Sequence, residues 1–113
     1  MTCIPSFSKD DVVLVRYPFS DLTAAKIRPA VVVNAPHVSE DCLIVPLTSR
    51  TDPLLAGEFL LANWGAAGLH VPSAAKRGIY TVHSSLIIKS VGRLSAEDSA
   101  SLERSIRIWL GLT

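Results

Sequence analysis

Two short groups of polar residues in this 113-residue chain have the types and spacing that could act on a phosphate. Arg28 directly precedes Pro29 and the apolar run PAVVVN, and its planar guanidinium matches the oxygens of a phosphate group. Thr48, Ser49 and Arg50 follow the apolar run CLIVPL. Two hydroxyls and a cation at the end of a strand can orient and neutralise a phosphoryl oxygen.

Each of these residues also has an ordinary structural explanation. Arg28 could form an ion pair with Asp21 or Glu58, since its charge must face solvent, an acid or an anionic ligand. Thr48 could be one more β-branched residue of a strand. The residue types alone leave both interpretations open.

Aromatic and serine residues elsewhere allow the same two kinds of interpretation. Trp64 and Tyr80 could stack on a nucleic-acid base, but burial in the core or in a dimer interface explains them as well. Ser84 and Ser85 could cap a turn.

The sequence contains no motif for metal or nucleotide-loop chemistry. There is no GxxxxGK, HExxH or CxxC, and the three histidines are far apart in the sequence. Cys42 opens an apolar strand and is predicted to be a buried, inert thiol, whereas no base can be assigned to Cys3. We therefore expect no metal, no cofactor and no disulfide framework, as in a reduced cytoplasmic protein.

Short extended segments surround the candidate residues. Strands are predicted for Asp11–Phe19, Pro29–Asn34 and Cys42–Arg50, and the unbroken apolar run of the second predicts burial on both of its faces. Ser20–Arg28 has neither a helical nor a strand period and is predicted to be a long loop, a kind of segment that is often functional. Residues 1–8 are predicted to be a flexible lead-in.

A single helix is predicted over residues 96–110. Ser95 is a good N-cap, Asp98 resembles the partner residue of a capping box, and Gly111 can supply the left-handed residue after the helix. One apolar face is formed by Leu102, Ile106, Trp109 and Leu110. Five to seven strands followed by one helix predict a mainly β fold, a small bent sheet or barrel, as one domain over residues 1–113.

The charges are distributed unevenly along the chain. The net charge is only +1, but no Asp or Glu occurs between Glu58 and Glu97, where Lys76, Arg77 and Lys89 lie. An acid-free basic stretch suits a polyanionic partner, with these cations at the border of a groove, although an ordinary solvated face explains it too. A hydrophobic fraction of 49% excludes a disordered chain, and no apolar run approaches the ~20 residues of a membrane span.

Taken in order, the segments VVLVRYPFSD, RPAVVV, PLTS and GRLSAED resemble the MazF/PemK family of bacterial toxin–antitoxin toxins. The resemblance extends over about residues 9–112. One segment departs from the family pattern: IYTVHSSLI has His83 where the family often has an acid.

The resemblance implies an SH3-like barrel with a C-terminal helix, usually a homodimer, and a metal-independent endoribonuclease that cuts single-stranded RNA at short motifs. It implies that Arg28 and Thr48 are catalytic. It also implies an antitoxin whose extended, acidic tail occupies the RNA groove, and operator DNA bound only jointly with that antitoxin. We expect the RNA-binding residues to be Ser20, Asp21, Lys26, Ser49, Arg50, Lys76 and Arg77.

The expected chemistry uses the nucleophile that RNA carries, the ribose 2′-hydroxyl. A guanidinium and a hydroxyl can hold an in-line geometry and stabilise the charge on phosphorus, which gives a 2′,3′-cyclic phosphate and a 5′-hydroxyl. The alternative is a non-catalytic SH3-like module that binds an antitoxin and operator DNA, or that inhibits a protein target as gyrase poisons do.

Overall fold

The computed structural model describes residues 7–17, 26–34 and 40–112. This part of the chain contains β1 (Asp11–Tyr17), β2 (Lys26–Val32), β3 (Asp41–Thr48), β4 (Phe59–Leu60), β5 (Ala74–Ala75), β6 (Tyr80–His83), a 3-10 turn (Ser84–Leu86), β7 (Ile87–Arg93) and α1 (Ala96–Leu110). Seven strands followed by one helix confirm the predicted mainly β, barrel-like class. None of the helices in the described ranges is long and apolar enough to cross a membrane.

All strand pairs are antiparallel, and β3 is the centre of the sheet. The strand order is β4-β5-β3-β2-β1-β7, with β6 paired to the first half of β3. Two register shifts interrupt the pairing of β1 with β7. Such bulges bend strands and increase their twist, so they help to curve the sheet.

Apolar side chains fill both faces of the sheet. One core, here the helix-side core, consists of Val12, Val31, Val45, Leu47, Leu61, Ala67, Ala75, Leu94 and Leu102. The other, the far core, consists of Val13, Val15, Ala30, Val32, Cys42, Ile44, Val82 and Ile87. Successive residues of a strand point to opposite faces. The run Ala30–Val32, fully buried on both faces, therefore confirms the prediction for this strand.

β2 begins earlier than the apolar pattern predicted. The predicted loop extended to Arg28 and the strand began at Pro29, but the pairing with β1 continues to Lys26 opposite Tyr17. Main-chain pairing with a neighbouring strand holds these exposed residues extended, and side-chain periodicity does not report it. Arg28 consequently lies inside a strand. Residues 18–25 lie outside the described residues, as do residues 1–6 of the predicted lead-in.

The helix begins and ends as predicted, but the carboxylate of Asp98 makes different hydrogen bonds from those of a capping box. Ser95 Oγ accepts the backbone N–H of Asp98, and Gly111 is left-handed with φ 71°. The buried Asp98 carboxylate does not return a capping-box bond. It accepts the backbone N–H groups of Ala62 (2.8 Å) and Asn63 (2.9 Å) instead, because the chain after β4 passes against this turn of the helix.

The predicted apolar face of the helix is only partly buried. Leu102 is buried, and Ile106 and Trp109 pack against the helix-side core. Trp109 Nε1 also donates to the backbone oxygen of Ala56. Leu110 was predicted to be on this face but is 56% exposed, because it belongs to the last turn, beyond the part of the helix that covers the core.

Candidate functional site

Arg28 and Thr48 are placed by the pairing of β2 with β3. The last paired residues of this ladder are Ala30 and Pro46. Arg28 and Thr48 each lie two residues beyond this pair, at the positions that would face each other if the same register continued. Since side chains two residues apart share a face, both residues lie on the face of the far core, where that core gives way to solvent.

Prolines explain why the ladder stops before this pair. The backbone N–H of Val33 donates to Leu43 O, and hydrogen-bonded pairs recur at every second residue of an antiparallel ladder. Counted back from Val33 in steps of two residues, the hydrogen-bonded positions of β2 reach Pro29, which has no N–H to donate. The hydrogen-bonded pairing of β2 with β3 therefore ends where the polar side chains begin.

A second proline interrupts the other edge of β3. Lys76 donates its backbone N–H to Pro46 O (2.9 Å), and Pro46 cannot return the bond. At this point β3 changes partner, from β6 along Asp41–Ile44 to β5 along Leu47–Thr48. A cleft opens beside this break.

This cleft, here called the polar cleft, has a volume of about 460 Å³. It is lined by Arg28, Pro46, Leu47, Thr48, Ser49, Arg50, Lys76 and Tyr80. The three cations are exposed, and no carboxylate from the described residues lines the cleft. The cleft therefore offers an anion positive charges and hydroxyl groups, and one aromatic ring lies beside them.

The hydroxyl of Thr48 has a fixed local partner. Thr48 Oγ1 accepts the backbone N–H of Arg50 (3.0 Å) in the turn that ends β3 at Thr48, two residues earlier than predicted. Accepting that bond leaves the hydroxyl proton available for a second partner. The same turn places Ser49 and Arg50 at the cleft wall.

A second cleft shares Arg28, Leu47, Thr48 and Ser49 with the first. This one, here called the apolar cleft, has a volume of about 360 Å³ and continues along Leu14, Leu69, His70, Val71, Lys89 and Val91. Leu69 and Val91 of the apolar cleft pack against the helix-side core, whereas Tyr80 of the polar cleft packs against the far core. The residues that the clefts do not share thus include contacts to different cores, and the clefts meet at Arg28, Leu47, Thr48 and Ser49.

Glu58 organises the far wall of the polar cleft. Its carboxylate accepts the backbone N–H groups of Arg77 (3.0 Å) and Leu55 (2.8 Å). The bond from Arg77, then that from Leu55, holds the pKa of Glu58 below its usual value. The acid therefore secures the turn that carries Lys76, and among the described residues no ion pair joins it to Arg28, as one structural alternative required.

The other candidate residues fall into three groups. Ser49, Arg50 and Lys76 line the polar cleft, and the exposed Lys26 lies two residues before Arg28 on the same strand face. Arg77 follows Lys76 but does not line either cleft. Ser20 and Asp21 lie outside the described residues.

Local packing bears on three further sequence-based interpretations. Cys42 is a buried free thiol whose pKa is raised by burial and by Asp41, as predicted for an inert cysteine. The turn at Ser84 and Ser85 is capped by His83, whose Nδ1 accepts the N–H of Ser85. Trp64 packs against the helix-side core.

In the part of the chain that the structure describes, no three His, Cys, Asp or Glu side chains come together in a way that could hold a metal ion. His70 is an ionisable lining residue that sequence reasoning did not single out as a site residue. No local motif marks it, because only the packing of the segment after β4 onto β7 brings it to Arg28 and Thr48.

Comparison with known proteins identifies a family. The sequence profile described as PemK-like, MazF-like toxin of type II toxin–antitoxin system matches residues 8–110. A comparison with curated protein sequences finds no match.

Several solved structures share the fold at low sequence identity. The Mycobacterium tuberculosis toxin MazF-mt6 is 17% identical, with a TM-score of 0.73 over 91% of this chain and 98% of that one. A mycobacterial endoribonuclease in complex with its cognate antitoxin is 12% identical, with a TM-score of 0.74 over 97% and 98% of the two chains. The MazE–MazF structure from Deinococcus radiodurans is 16% identical, with a TM-score of 0.75 over 97% of this chain and 100% of that one.

Proposed function

Because the chain belongs to the PemK-like, MazF-like toxins of type II toxin–antitoxin systems, we propose that it is an endoribonuclease that cleaves single-stranded RNA and arrests growth. The observation that carries this proposal is the position of Arg28 and Thr48 where two clefts meet, with cations and hydroxyls around them. A phosphodiester held there would meet a guanidinium fork and a hydroxyl at once. The similarity of the fold to solved endoribonucleases supports the same proposal.

In the proposed reaction the ribose 2′-oxygen attacks phosphorus and the bond from phosphorus to the 5′-oxygen breaks. The products are a 2′,3′-cyclic phosphate and a 5′-hydroxyl. Arg28 binds the non-bridging oxygens and stabilises the charge that builds on them. Thr48, whose oxygen is engaged by the N–H of Arg50, donates its proton to one of these oxygens.

The direct test is cleavage of a long single-stranded RNA by the pure protein in excess chelator. We expect discrete fragments that carry cyclic-phosphate ends, because none of the proposed steps uses a metal ion. An Arg28→Ala protein with an unchanged thermal unfolding midpoint is the matched control. RNA that stays intact with the wild-type protein contradicts the proposal and favours a non-catalytic binding module.

The cations of the polar cleft also support a protein partner, an antitoxin with an extended acidic segment. Arg28, Arg50 and Lys76 would pair with its carboxylates, and the segment would then exclude RNA. Related solved structures hold their toxins with a cognate antitoxin or as MazE–MazF. The test is whether the neighbouring acidic gene product, added in stoichiometric amounts, stops RNA cleavage, and whether operator DNA binds only to the mixture.

We also propose that the functional unit is a homodimer. Large apolar side chains are left exposed near the end of α1, namely Ile108 (62%), Leu110 (56%) and Leu112 (55%). Burying such side chains in an interface would be favourable by roughly 25 cal/mol per Å² of apolar surface. Sedimentation at micromolar concentration is the measurement, and a monomer there contradicts this part of the proposal.

A further inference from the structure

The two clefts are lined by arginine, lysine, tyrosine and histidine side chains, among others. Arginine, lysine and tyrosine side chains ordinarily give up a proton only at about pH 10 or above. Histidine is the side chain that exchanges a proton between pH 5 and 8. Among the described residues that line the clefts, His70 is the one histidine, and no Asp or Glu joins it.

The segment that carries His70 is fixed at both of its ends. The buried carboxylate of Asp98 holds Ala62 and Asn63 at one end. At the other end Leu61 donates its backbone N–H to Ser73 O (2.9 Å). The His70 ring is therefore carried by a tethered turn and not by a loose loop.

A close backbone contact also sets the distance of this segment from β7. Gly68 has φ +89°, and a Cβ there would collide with the backbone oxygen of Val91. A Cβ on Gly92 would collide with the backbone oxygen of Ala67 in the same way. Two glycines thus let the turn approach β7 closely enough for His70 and Lys89 to line one cleft.

The imidazole of His70 is exposed, and no hydrogen bond from residues 7–17, 26–34 or 40–112 engages it. The other described histidine differs: His83 Nε2 lies 3.0 Å from Glu40 and its Nδ1 lies 2.8 Å from Ser85 Oγ. The charged groups that share the apolar cleft with His70 are Arg28 and Lys89. With respect to the described residues, both of its ring nitrogens are therefore open to a bound molecule.

The two clefts supply different groups to the place where they meet. The attacking and leaving oxygens of an in-line displacement lie on opposite sides of phosphorus, and a phosphate held at Arg28 and Thr48 would have residues of both clefts beside it. The polar cleft adds Arg50 and Lys76, whose charge can stabilise a leaving oxygen. The apolar cleft adds His70, whose ring can accept the proton of an attacking hydroxyl.

From this arrangement we infer that His70 is the general base of the proposed reaction, which this step presupposes. A neutral imidazole nitrogen takes the proton of the 2′-hydroxyl as the 2′-oxygen bonds to phosphorus. The bond to the 5′-oxygen breaks, that oxygen receives a proton from water, and the imidazolium returns its proton to solvent. The guanidinium of Arg28 keeps its proton throughout.

The test compares His70→Gln with His83→Gln, the same substitution at a histidine that lines neither cleft. We expect kcat of His70→Gln to fall by roughly 10²–10⁴, the usual contribution of proton transfer, with little change in KM. Added imidazole should restore part of the activity of His70→Ala and leave the wild type unchanged. The thermal unfolding midpoint of each variant separates lost chemistry from lost folding.

A substrate with sulfur in place of the 5′-oxygen assigns the direction of proton transfer. A thiolate leaves without being protonated, so a variant that lacks only a general acid recovers on this substrate, and one that lacks the base does not. Recovery of His70→Gln would overturn the base assignment, and so would kcat within a few-fold of His83→Gln on ordinary RNA. An inactive wild-type protein instead contradicts the ribonuclease function itself.

Discussion

Arg28 and Thr48 lie on neighbouring strands, each two residues beyond the last pair of the β2–β3 ladder, and both line the same two clefts. The ladder ends because Pro29 has no N–H for the next hydrogen bond. The paired part of β2 and β3 brings the two residues to the same place, and beyond it the backbone opens into the two clefts that both residues line. A site that binds a phosphate needs both features, a paired part of the sheet that positions the side chains and an open cleft that admits the ligand.

The guanidinium of Arg28 should not be replaceable by another cation. Arg28→Lys keeps the charge but loses the planar fork, so we expect cleavage to fall by about 10²-fold or more, and Arg28→Ala to be lower still. Initial rates on a defined single-stranded RNA measure this. Activity of Arg28→Ala close to wild type would remove the residue from the mechanism.

The hydroxyl of Thr48, and not its shape, should matter. Thr48→Val keeps the β-branched shape but loses both the bond from Arg50 and the donated proton, so we expect a fall of roughly 10²–10³-fold in kcat. Thr48→Ser keeps the hydroxyl and should retain most of the activity. Equal rates for the two variants would contradict a donor role.

RNA affinity should depend steeply on salt through the cations of the clefts. Removing one phosphate contact lowers the slope of log K against log salt by about 0.7 for a single strand. We expect this change for Lys76→Gln and for Lys89→Gln in binding titrations. The titrations would cover about 50 to 300 mM salt, a range over which electrostatic screening is strong. Arg107→Gln, on the distant helix, is the matched control and should leave the slope unchanged.

Glu58 should make stability depend on acid pH. Its folded-state pKa is below the ordinary value, mainly because Arg77 and Leu55 donate to the ionised carboxylate. The stabilisation is therefore complete above the unfolded-state pKa of about 4.3, and is lost as pH falls through the lower folded-state value. Urea unfolding from pH 7 to pH 3 should show a smaller acid loss for Glu58→Gln. An identical profile for both proteins would contradict this role.

Asp98 should contribute to stability more than any exposed acid of the same helix turn. Both of its carboxylate oxygens accept backbone N–H groups, and the side chain is 1% exposed. Asp98→Asn replaces one acceptor with a donor facing an N–H, so we expect a loss of about 1.5–3 kcal/mol in the free energy of unfolding. Glu97→Gln, its exposed neighbour, should change little. The same variant should also perturb the cleft, because Asp98 tethers the segment that carries His70.

Local patterns in the sequence were sufficient for several elements. The apolar run after Arg28 predicted a strand buried on both faces, and Ser95 and Gly111 predicted the ends of the helix. These features depend on neighbouring residues alone, through side-chain alternation, capping and backbone conformation. The family resemblance added the expectation that Arg28 and Thr48 are catalytic, whereas their residue types and positions alone left a structural explanation open as well.

What only the tertiary structure decided is which distant residues share a cleft. Strand pairing across the sheet brought Arg28 and Thr48 to the same two clefts and extended β2 back to Lys26. The sequence does not show this, because main-chain hydrogen bonds leave no trace in side-chain periodicity. The close approach of Gly68 and Gly92 carried His70 to the same place, some forty residues from Arg28 in the chain. Contacts of this kind depend on the packing of whole elements, and a linear sequence does not display them.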